Sequence, residues 1–270
     1  MKTYTTVLTI AGSDGSGGAG IQADIKTFAA LECYGLSVIT AITAQNTMGV
    51  HSLYPLSAPC VIGQFEALAA DIEIDAVKIG MLGNTAIINA VAALLRQLKE
   101  KPPIILDTIL RSSSGATLLA PDAINLMKTE LIPLATLITP NLPEAAVLTG
   151  ETSPPATPEA IEKCAMKLLE SGANAVLLKG GHGDGIECRD CLLADNRYVW
   201  FSSRKITTNN THGTGCTLSS AIAAFMAKGE PIEVAVRSAK AYLDQAIESG
   251  IEYRLGAGNG PLHHLYKLWN

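Results

Sequence analysis

The sequence predicts an α/β fold with a central, mainly parallel sheet, helices on both faces and a small antiparallel hairpin. Short apolar segments alternate with amphipathic segments along most of the 270 residues, which is typical of repeated strand–helix units. One segment, 188–203, breaks this alternation with two strand-like runs around Asp195-Asn196, the pattern of a hairpin. Because no linker or internal repeat interrupts the pattern, we expect residues 1–270 to form a single domain.

Each predicted strand is short and apolar. The segment 36–45, LSVITAITAQ, is apolar and β-branched almost throughout, as expected for a strand that is covered on both faces. The other strands are predicted at 4–12, 76–82, 103–108, 135–140 and 175–181.

The helices are predicted from apolar residues at helical spacing. In the first helix, within 20–35, these residues are Ile21, Ile25 and Phe28. Thr157 and Pro158 form an N-cap and first-turn pair for a later helix. The remaining helices are predicted at 59–70, 84–100, 120–132, 157–171, 214–227 and 232–249.

Composition excludes several classes of function. With 20 basic and 25 acidic residues the formal net charge is −5, and no basic run is present, so we expect neither nucleic acid nor an anionic membrane as a partner. The longest apolar runs are far shorter than the ~20 residues of a membrane-spanning helix. The six cysteines are scattered through a chain without a recognisable signal peptide, which predicts reduced thiols and a cytoplasmic protein.

Polar residues follow several predicted strands, where open parallel sheets bind their ligands. Asp107 ends an apolar strand, where a carboxylate is costly unless it faces a site or a partner. Lys179 ends another strand and could meet phosphate oxygens. Asn141 and Glu144 have the spacing of a capping box at a helix start, and a role with metal or phosphate is equally open.

The segment 209–225, NNTHGTGCTLSSAIAAF, predicts an anion-binding helix start. Gly213 and Gly215 lead directly into an apolar helix, whose first N–H groups are free to bind an anion. A phosphate loop of the P-loop type would have Lys where Cys216 stands. A Cys in such a place is usually a small core residue, but the helix N-terminus could also lower its pKa towards neutrality. A thiol of that kind could take a proton from an alcohol while the amides stabilise a phosphoryl group.

The segment 15–20, GSGGAG, raises a second hypothesis. It matches the dinucleotide-binding pattern after a strand and before a helix, as in an NAD-dependent oxidoreductase. That site also needs an acidic residue at the end of the second strand, and this strand ends in Gln45. Close approach of the backbone to another ligand therefore explains the glycines better.

Taken together, the motifs resemble those of hydroxymethylpyrimidine/phosphomethylpyrimidine kinases, thiamin-biosynthesis enzymes of the ribokinase-like superfamily. The resemblance covers most of the chain and implies a ribokinase-like fold, usually in a homodimer. It also implies two ATP- and Mg²⁺-dependent phosphorylations of 4-amino-5-hydroxymethyl-2-methylpyrimidine, first to the monophosphate and then to the diphosphate. The matching segments are TIAGSDGSGGAGIQADIKTF, VITAITAQNTMGV, KIGMLG, LITPNLPEAAVL, LLKGGH and NTHGTGCTLSSAIAA.

The resemblance also implies roles for individual residues. Cys216 stands where most ribokinase-like sugar kinases place a catalytic Asp, and Gln45 matches the glutamine that reads the pyrimidine. The implied anion hole consists of Gly213, Thr214, Gly215 and Cys216. The implied ring contacts besides Gln45 are Gly12, Asp24 and Met81. The implied residues for ATP are Lys179, Asn141 and Thr211, and those near Mg²⁺ are Asp107 and Glu144.

One departure and three alternatives accompany this resemblance. Family members often have Ala-Lys-Ser-Gly after the Asp107 strand, whereas residues 111–115 here read RSSSG, a change that bears on ATP affinity or the second phosphorylation. The alternative within the superfamily is a pyridoxal kinase, against which Gln45 is the discriminating residue. The other two alternatives are an NAD-dependent oxidoreductase and a non-catalytic nucleotide-binding module.

Overall fold

The computed structural model describes residues 2–110, 119–181 and 187–269. The RSSSG segment at 111–115 lies outside these described residues. The strands are β1 (Thr6–Asp14), β2 (Tyr34–Asn46), β3 (Gly49–Pro55), β4 (Ala76–Ile79), β5 (Ile104–Leu106), β6 (Leu137–Ile138), β7 (Val176–Leu178), β8 (Glu187–Ala194) and β9 (Arg197–Arg204). The α-helices are α1 (Gly20–Ala30), α2 (Ala58–Ala69), α3 (Thr85–Gln97), α4 (Pro121–Glu130), α5 (Leu142–Thr149), α6 (Pro158–Glu170), α7 (Thr214–Ala227) and α8 (Ile232–Gly250).

The nine strands of the described ranges form one sheet in the order β3-β2-β1-β4-β5-β6-β7-β8-β9. The interior pairs from β2 to β7 are parallel, and the pairs that involve β3, β8 and β9 are antiparallel. The carboxyl ends of the parallel strands therefore meet at one edge. The mainly parallel sheet and the hairpin predicted around Asp195-Asn196 are both confirmed, since these two residues have φ of 50° and 57°, as a type I′ turn requires.

Helices cover both faces of the sheet. On one face, helices α2 to α6 pack on alternate strand residues such as Leu8 and Ile10. On the other face, α1, α7 and α8 pack on Val7 and its equivalents in the other strands. Since β1, β4, β5, β6 and β7 are buried on both sides, the sequence pattern of continuous apolar strands is explained there.

The structure differs from the sequence prediction at the β3 edge. The second strand runs on to Asn46, and a tight turn returns the chain as β3, which was not predicted. The residues of β3 are exposed or half-buried, so its apolar pattern is weak. The first helix also ends at Ala30, before Glu32 with its φ of 59°. Throughout the described ranges, no helix has both the length and the apolar character needed to cross a membrane.

Candidate active site

A cavity of about 1060 Å³ lies at the carboxyl edge of the parallel strands. Its wall brings together almost all the side chains that the sequence points to, from strands that are far apart in the chain. Of the predicted site residues, only Asp24 does not line it. The lining ones are Gly12, Gln45, Met81, Asp107, Asn141, Glu144, Lys179, Thr211, Gly213, Thr214, Gly215 and Cys216.

The start of α7 faces the centre of this cavity. Gly213 is the N-cap residue, with φ of +88°, and it packs against the carbonyl oxygen of Gly18 so closely that any side chain would clash. Two residues later, a Cβ atom added at Gly215 would lie 3.4 Å from Lys179 Nζ and 3.6 Å from Asp107 Oδ2. The start of the helix therefore lies beside a lysine and a carboxylate, an arrangement suited to a phosphoryl group.

Asp107 and Lys179 form an ion pair on the cavity wall. Lys179 Nζ lies 2.9 Å from Asp107 Oδ1, and the hydroxyls of Thr139 and Ser219 donate to the same carboxylate at 3.1 and 3.2 Å. Burial alone would raise the pKa of Asp107, but the charges of Lys179 and Lys78 outweigh it and lower that pKa. Asp107 is therefore a carboxylate, available to a cation at neutral pH.

Asn141 and Glu144 form the capping box that their spacing predicts. Asn141 Oδ1 accepts from the backbone N–H of Glu144 at 2.8 Å, and Glu144 Oε2 accepts from the backbone N–H of Asn141 at 2.9 Å. Burial, with a further contribution from the charge of Asp107, raises the pKa of Glu144 despite the nearby Lys179. Both residues also line the cavity, so the capping role and a role in the site are compatible.

Gln45 lies at the end of β2, on the opposite side of the cavity. Its Nε2 atom is 3.2 Å from His212 Nε2, and its Oε1 atom is 3.2 Å from Thr43 Oγ1. His212 Nε2 is also 2.8 Å from Asp14 Oδ2. Burial opposes ionisation of Asp14, but hydrogen bonds from His212 and Ser16 outweigh it and lower its pKa to about 2. The carboxylate of Asp14 therefore holds His212, and His212 in turn contacts Gln45.

The expectation of a lowered thiol pKa at Cys216 is wrong for the free site. Burial raises the pKa of Cys216 to about 11, and the negative charges of Asp24 and Asp107 add to this effect. The charge of Lys78 and the hydrogen bond from the Gly20 amide act in the opposite direction but are weaker. Local sequence shows the helix N-terminus, which favours a thiolate, but it does not show the burial that opposes one.

The structure also does not support the implied ring contact of Asp24, because this residue lies behind the cavity wall. Its side chain is fully buried and accepts from Lys78 Nζ, with 2.9 Å to each oxygen, and from the hydroxyls of Thr9 and Ser220 at 2.6 and 2.7 Å. No oxygen is left to face a ring. Asp24 therefore holds Lys78, whose fully buried side chain lines the cavity.

Lys78 and His212 line the cavity but were not predicted. A lysine in the middle of the apolar segment AVKIG is a sequence signal, because such a side chain is almost never buried without a partner. His212 stands immediately before the glycines of the anion hole, but its partners Asp14 and Gln45 are 198 and 167 residues away. Nothing in the local sequence indicates that pairing.

The sequence matches the phosphomethylpyrimidine kinase family over residues 14–263. The chain belongs to this family. Its relatives include the hydroxymethylpyrimidine/phosphomethylpyrimidine kinase of Rhizobium meliloti, which is 47% identical over 262 residues covering 97% of each chain. The protein is therefore a kinase, and the dinucleotide-dependent alternative has no support.

Solved structures agree with this membership. A phosphomethylpyrimidine kinase from Clostridium difficile matches with a TM-score of 0.79 and 43% identity, covering 90% of this chain and 99% of the other. The pyridoxal kinase of Staphylococcus aureus, solved with AMP-PCP and pyridoxal, matches with a TM-score of 0.89 and 32% identity, covering 98% and 95%. The ribokinase-like fold implied by the sequence motifs is thus confirmed.

Proposed function

We propose that the protein transfers the γ-phosphoryl group of ATP to 4-amino-5-hydroxymethyl-2-methylpyrimidine and then phosphorylates the monophosphate to the diphosphate, in thiamin biosynthesis. The observation that carries the proposal is that one cavity is lined both by the side-chain amide of Gln45, which could bind a ring, and by the helix start that ends at Cys216, which could bind a phosphoryl group. An amide offers one donor and one acceptor, which suits a ring nitrogen beside an amino group. The relatives described above support the same substrate.

We propose Cys216 as the general base. In the transfer, the hydroxymethyl oxygen forms a bond to the γ-phosphorus, the bond from that phosphorus to the ADP oxygen breaks, and the thiolate takes the hydroxyl proton. The amides of Gly213, Thr214 and Gly215 would stabilise charge on the phosphoryl oxygens. Since the free thiol has a pKa of about 11, only its minor thiolate form can act as this base.

Lys179, Asn141 and Thr211 are proposed to bind the ATP phosphates. Mg²⁺ binds oxygen ligands, keeps several waters and is typically held by one or two carboxylates together with phosphates. Asp107 and Glu144 provide two carboxylates on the same wall, so the donor set fits, and we propose them as the residues near the ion. When bound, the ion would neutralise charge between the transferring phosphates.

We propose that a second copy of the chain covers the β2–β3 ribbon in a homodimer. Ile42 and Tyr54 face each other across the two strands and are 49% and 60% exposed, and Met48 at the turn is 65% exposed. An edge strand with such side chains is a natural pairing surface. Analytical ultracentrifugation of the wild type and of Ile42→Lys tests this proposal, with a shift to monomer expected only in the variant.

Pyridoxal phosphorylation is the second candidate function. It is favoured by the likeness to the Staphylococcus aureus pyridoxal kinase, with a TM-score of 0.89. The deciding experiment incubates the protein with ATP and Mg²⁺ and either the pyrimidine alcohol or pyridoxal, and follows the products by mass spectrometry. We expect the pyrimidine monophosphate and then the diphosphate. Phosphorylation of pyridoxal alone would refute the proposed substrate and the proposed role of Gln45.

A further inference from the structure

We propose that His212, held by Asp14, is a positioning residue that fixes which way the amide of Gln45 faces and so determines which ring the site accepts. The inference rests on the proposed function, in which Gln45 binds the pyrimidine. It is carried by a chain of polar contacts that runs from Asp14 through His212 and Gln45 to Thr43.

The first contact in this chain determines where the proton of His212 lies. Asp14 is 3% exposed, and its oxygens accept from the amide and hydroxyl of Ser16 at 2.9 and 2.7 Å and from the amide of Ala19 at 2.9 Å. All these partners are donors, as suits a carboxylate that carries no proton. Since His212 Nε2 is 2.8 Å from Asp14 Oδ2, that nitrogen must also be a donor.

The last contact fixes the role of Thr43 in the same way. A hydroxyl has a single hydrogen. Thr43 Oγ1 is 2.9 Å from the Ser13 carbonyl oxygen, which can only accept and is nearer than Gln45, so we place the hydrogen there. Towards Gln45, 3.2 Å away, Thr43 can then offer only a lone pair. The single hydrogen on His212 Nε2 lies towards Asp14, the nearer partner, so this nitrogen has no lone pair for Gln45 and can only share that hydrogen with it. The two neighbours of the amide are therefore a ring nitrogen that cannot accept, in His212, and a hydroxyl that cannot donate, in Thr43.

Only one orientation of the Gln45 amide satisfies both neighbours. Its oxygen must face the protonated nitrogen of His212, where it shares the hydrogen that is donated to Asp14, and its nitrogen must face the lone pair of Thr43. Turning the amide through 180° exchanges these two atoms with almost no change in shape and replaces a donor–donor contact with a shared hydrogen bond. One lone pair and one N–H then remain for the ligand, in a fixed order along the amide edge.

This fixed order is what would select the ring. In the pyrimidine, an amino donor and a ring-nitrogen acceptor are neighbours, so both can bind the amide edge at once. The pyridine ring of pyridoxal carries its hydroxyl between two substituted carbons and has no such neighbouring pair. A site discriminates strongly against a ligand that leaves the polar groups of the site unpaired.

The C-terminal segment holds both ends of this arrangement in place. The amide of His212 donates to the Gly260 carbonyl at 3.0 Å. The amides of Gly258 and Asn259 donate to Thr47, two residues after Gln45, at 3.2 Å to its hydroxyl and 3.1 Å to its carbonyl. The loop that carries His212 and the turn that follows Gln45 are thus tied to one segment, which limits their relative motion.

The test compares the pyrimidine alcohol with its analogue that lacks only the amino group, 5-hydroxymethyl-2-methylpyrimidine. The ratio of kcat/KM for the two alcohols is measured in the wild type, Gln45→Ala and His212→Leu, together with His51→Leu as a matched control at an exposed histidine outside the cavity lining. Loss of one buried hydrogen-bonded pair corresponds to about a 10- to 100-fold change. We expect the wild type and His51→Leu to prefer the amino compound by such a factor, and Gln45→Ala and His212→Leu to lose that preference.

His212→Gln provides the rescue, because its amide has two N–H groups, one for Asp14 and one for Gln45. We expect it to recover part of the preference, and it carries the test if His212→Leu does not fold. If His212→Leu and His212→Gln lower both kcat/KM values equally, so that the preference survives while Gln45→Ala abolishes it, His212 has only a structural role and the inference is refuted. If the wild type phosphorylates neither pyrimidine, the proposed function itself fails, and the inference falls with it.

Discussion

The buried pair of Lys78 and Asp24 makes a quantitative prediction possible. Both side chains are fully buried, and each Asp24 oxygen lies 2.9 Å from Lys78 Nζ. Asp24→Asn keeps the shape of the side chain but leaves a buried ammonium without its counter-ion. Breaking such a pair costs about 3–5 kcal/mol. At roughly 2–4 °C per kcal/mol for a chain of this size, the melting temperature should fall by roughly 6–20 °C.

The matched double variant separates the charge from the packing. In Lys78→Met with Asp24→Asn, no charge is buried, and the amide introduced in place of the Asp24 carboxylate can keep hydrogen bonds to Thr9 and Ser220. Replacing a buried pair by neutral groups of similar volume is often neutral or stabilising, so most of the stability should return. Glu233→Gln is the surface control, because its pair with Arg197 is exposed and should contribute less than about 1 kcal/mol.

The pH dependence has a definite sign. In the wild type, burial opposes the charge on Lys78, but Asp24 outweighs it and raises its pKa. Its contribution to stability is therefore fully present below the unfolded pKa of about 10.4 and is lost only above it. In Asp24→Asn the folded pKa falls below that of the unfolded chain, so the unfolded chain binds more protons. The stability of this variant should rise as the pH rises from 6 to 9.

Urea unfolding at pH 6, 7.5 and 9 measures these effects directly. The reasoning is refuted if Asp24→Asn loses less than about 1 kcal/mol, because a buried unpaired charge cannot cost so little. It is also refuted if the double variant is as unstable as the single one, since the loss would then come from packing rather than charge.

Four further outcomes are expected. Cys216→Ala should keep the fold and ATP binding, as seen by calorimetry, but lower kcat by about 10²–10⁴-fold, and near-normal turnover would remove the thiol from the mechanism. In the wild type, log kcat/KM should rise with pH from 7 to 9, because the pKa of Cys216 is about 11, and a plateau above pH 7 would contradict a thiolate base. Lys179→Met should raise the KM for ATP in steady-state assays by about tenfold, as loss of a charged phosphate contact implies, and an unchanged KM would remove Lys179 from the nucleotide site. Gly213→Ala should lower the urea stability by at least about 1 kcal/mol, because φ is +88° there and the Gly18 carbonyl leaves no room, whereas wild-type stability would contradict that crowding.

Much of the fold could be predicted because its signals are local. Continuous apolar strands, the Thr157-Pro158 helix start and the turn at Asp195-Asn196 each depend on a few neighbouring residues. The topology then followed, since parallel strands joined by helices bring their carboxyl ends to one edge. Strand β3 was missed because an edge strand buries little and its residues carry no clear alternation.

The site residues, too, could be predicted only where their sequence signals are local. Asp107 and Lys179 could be predicted because a charge at the end of an apolar strand is costly without a purpose. The partners of Lys78 and His212 could not, because the contacts Lys78–Asp24 and His212–Asp14 span 54 and 198 residues and nothing local marks them. Asp24 itself reads as an ordinary polar residue of the first helix.

Cys216 shows why the electrostatics of a site cannot be read from one helix start. The charges that act on its thiol are Lys78 on one side and Asp24 and Asp107 on the other, so they do not supply a net positive charge to offset burial. At pH 7.5 a pKa of about 11 implies roughly one thiolate in several thousand, a cost of about 5 kcal/mol. A base of that strength accepts a proton readily, which returns part of this cost in the transition state. The thiol must therefore first lose its own proton to solvent, and the thiolate then takes the hydroxyl proton as the hydroxyl oxygen bonds to phosphorus and becomes more acidic, so that transfer of the hydroxyl proton is tied to phosphoryl transfer.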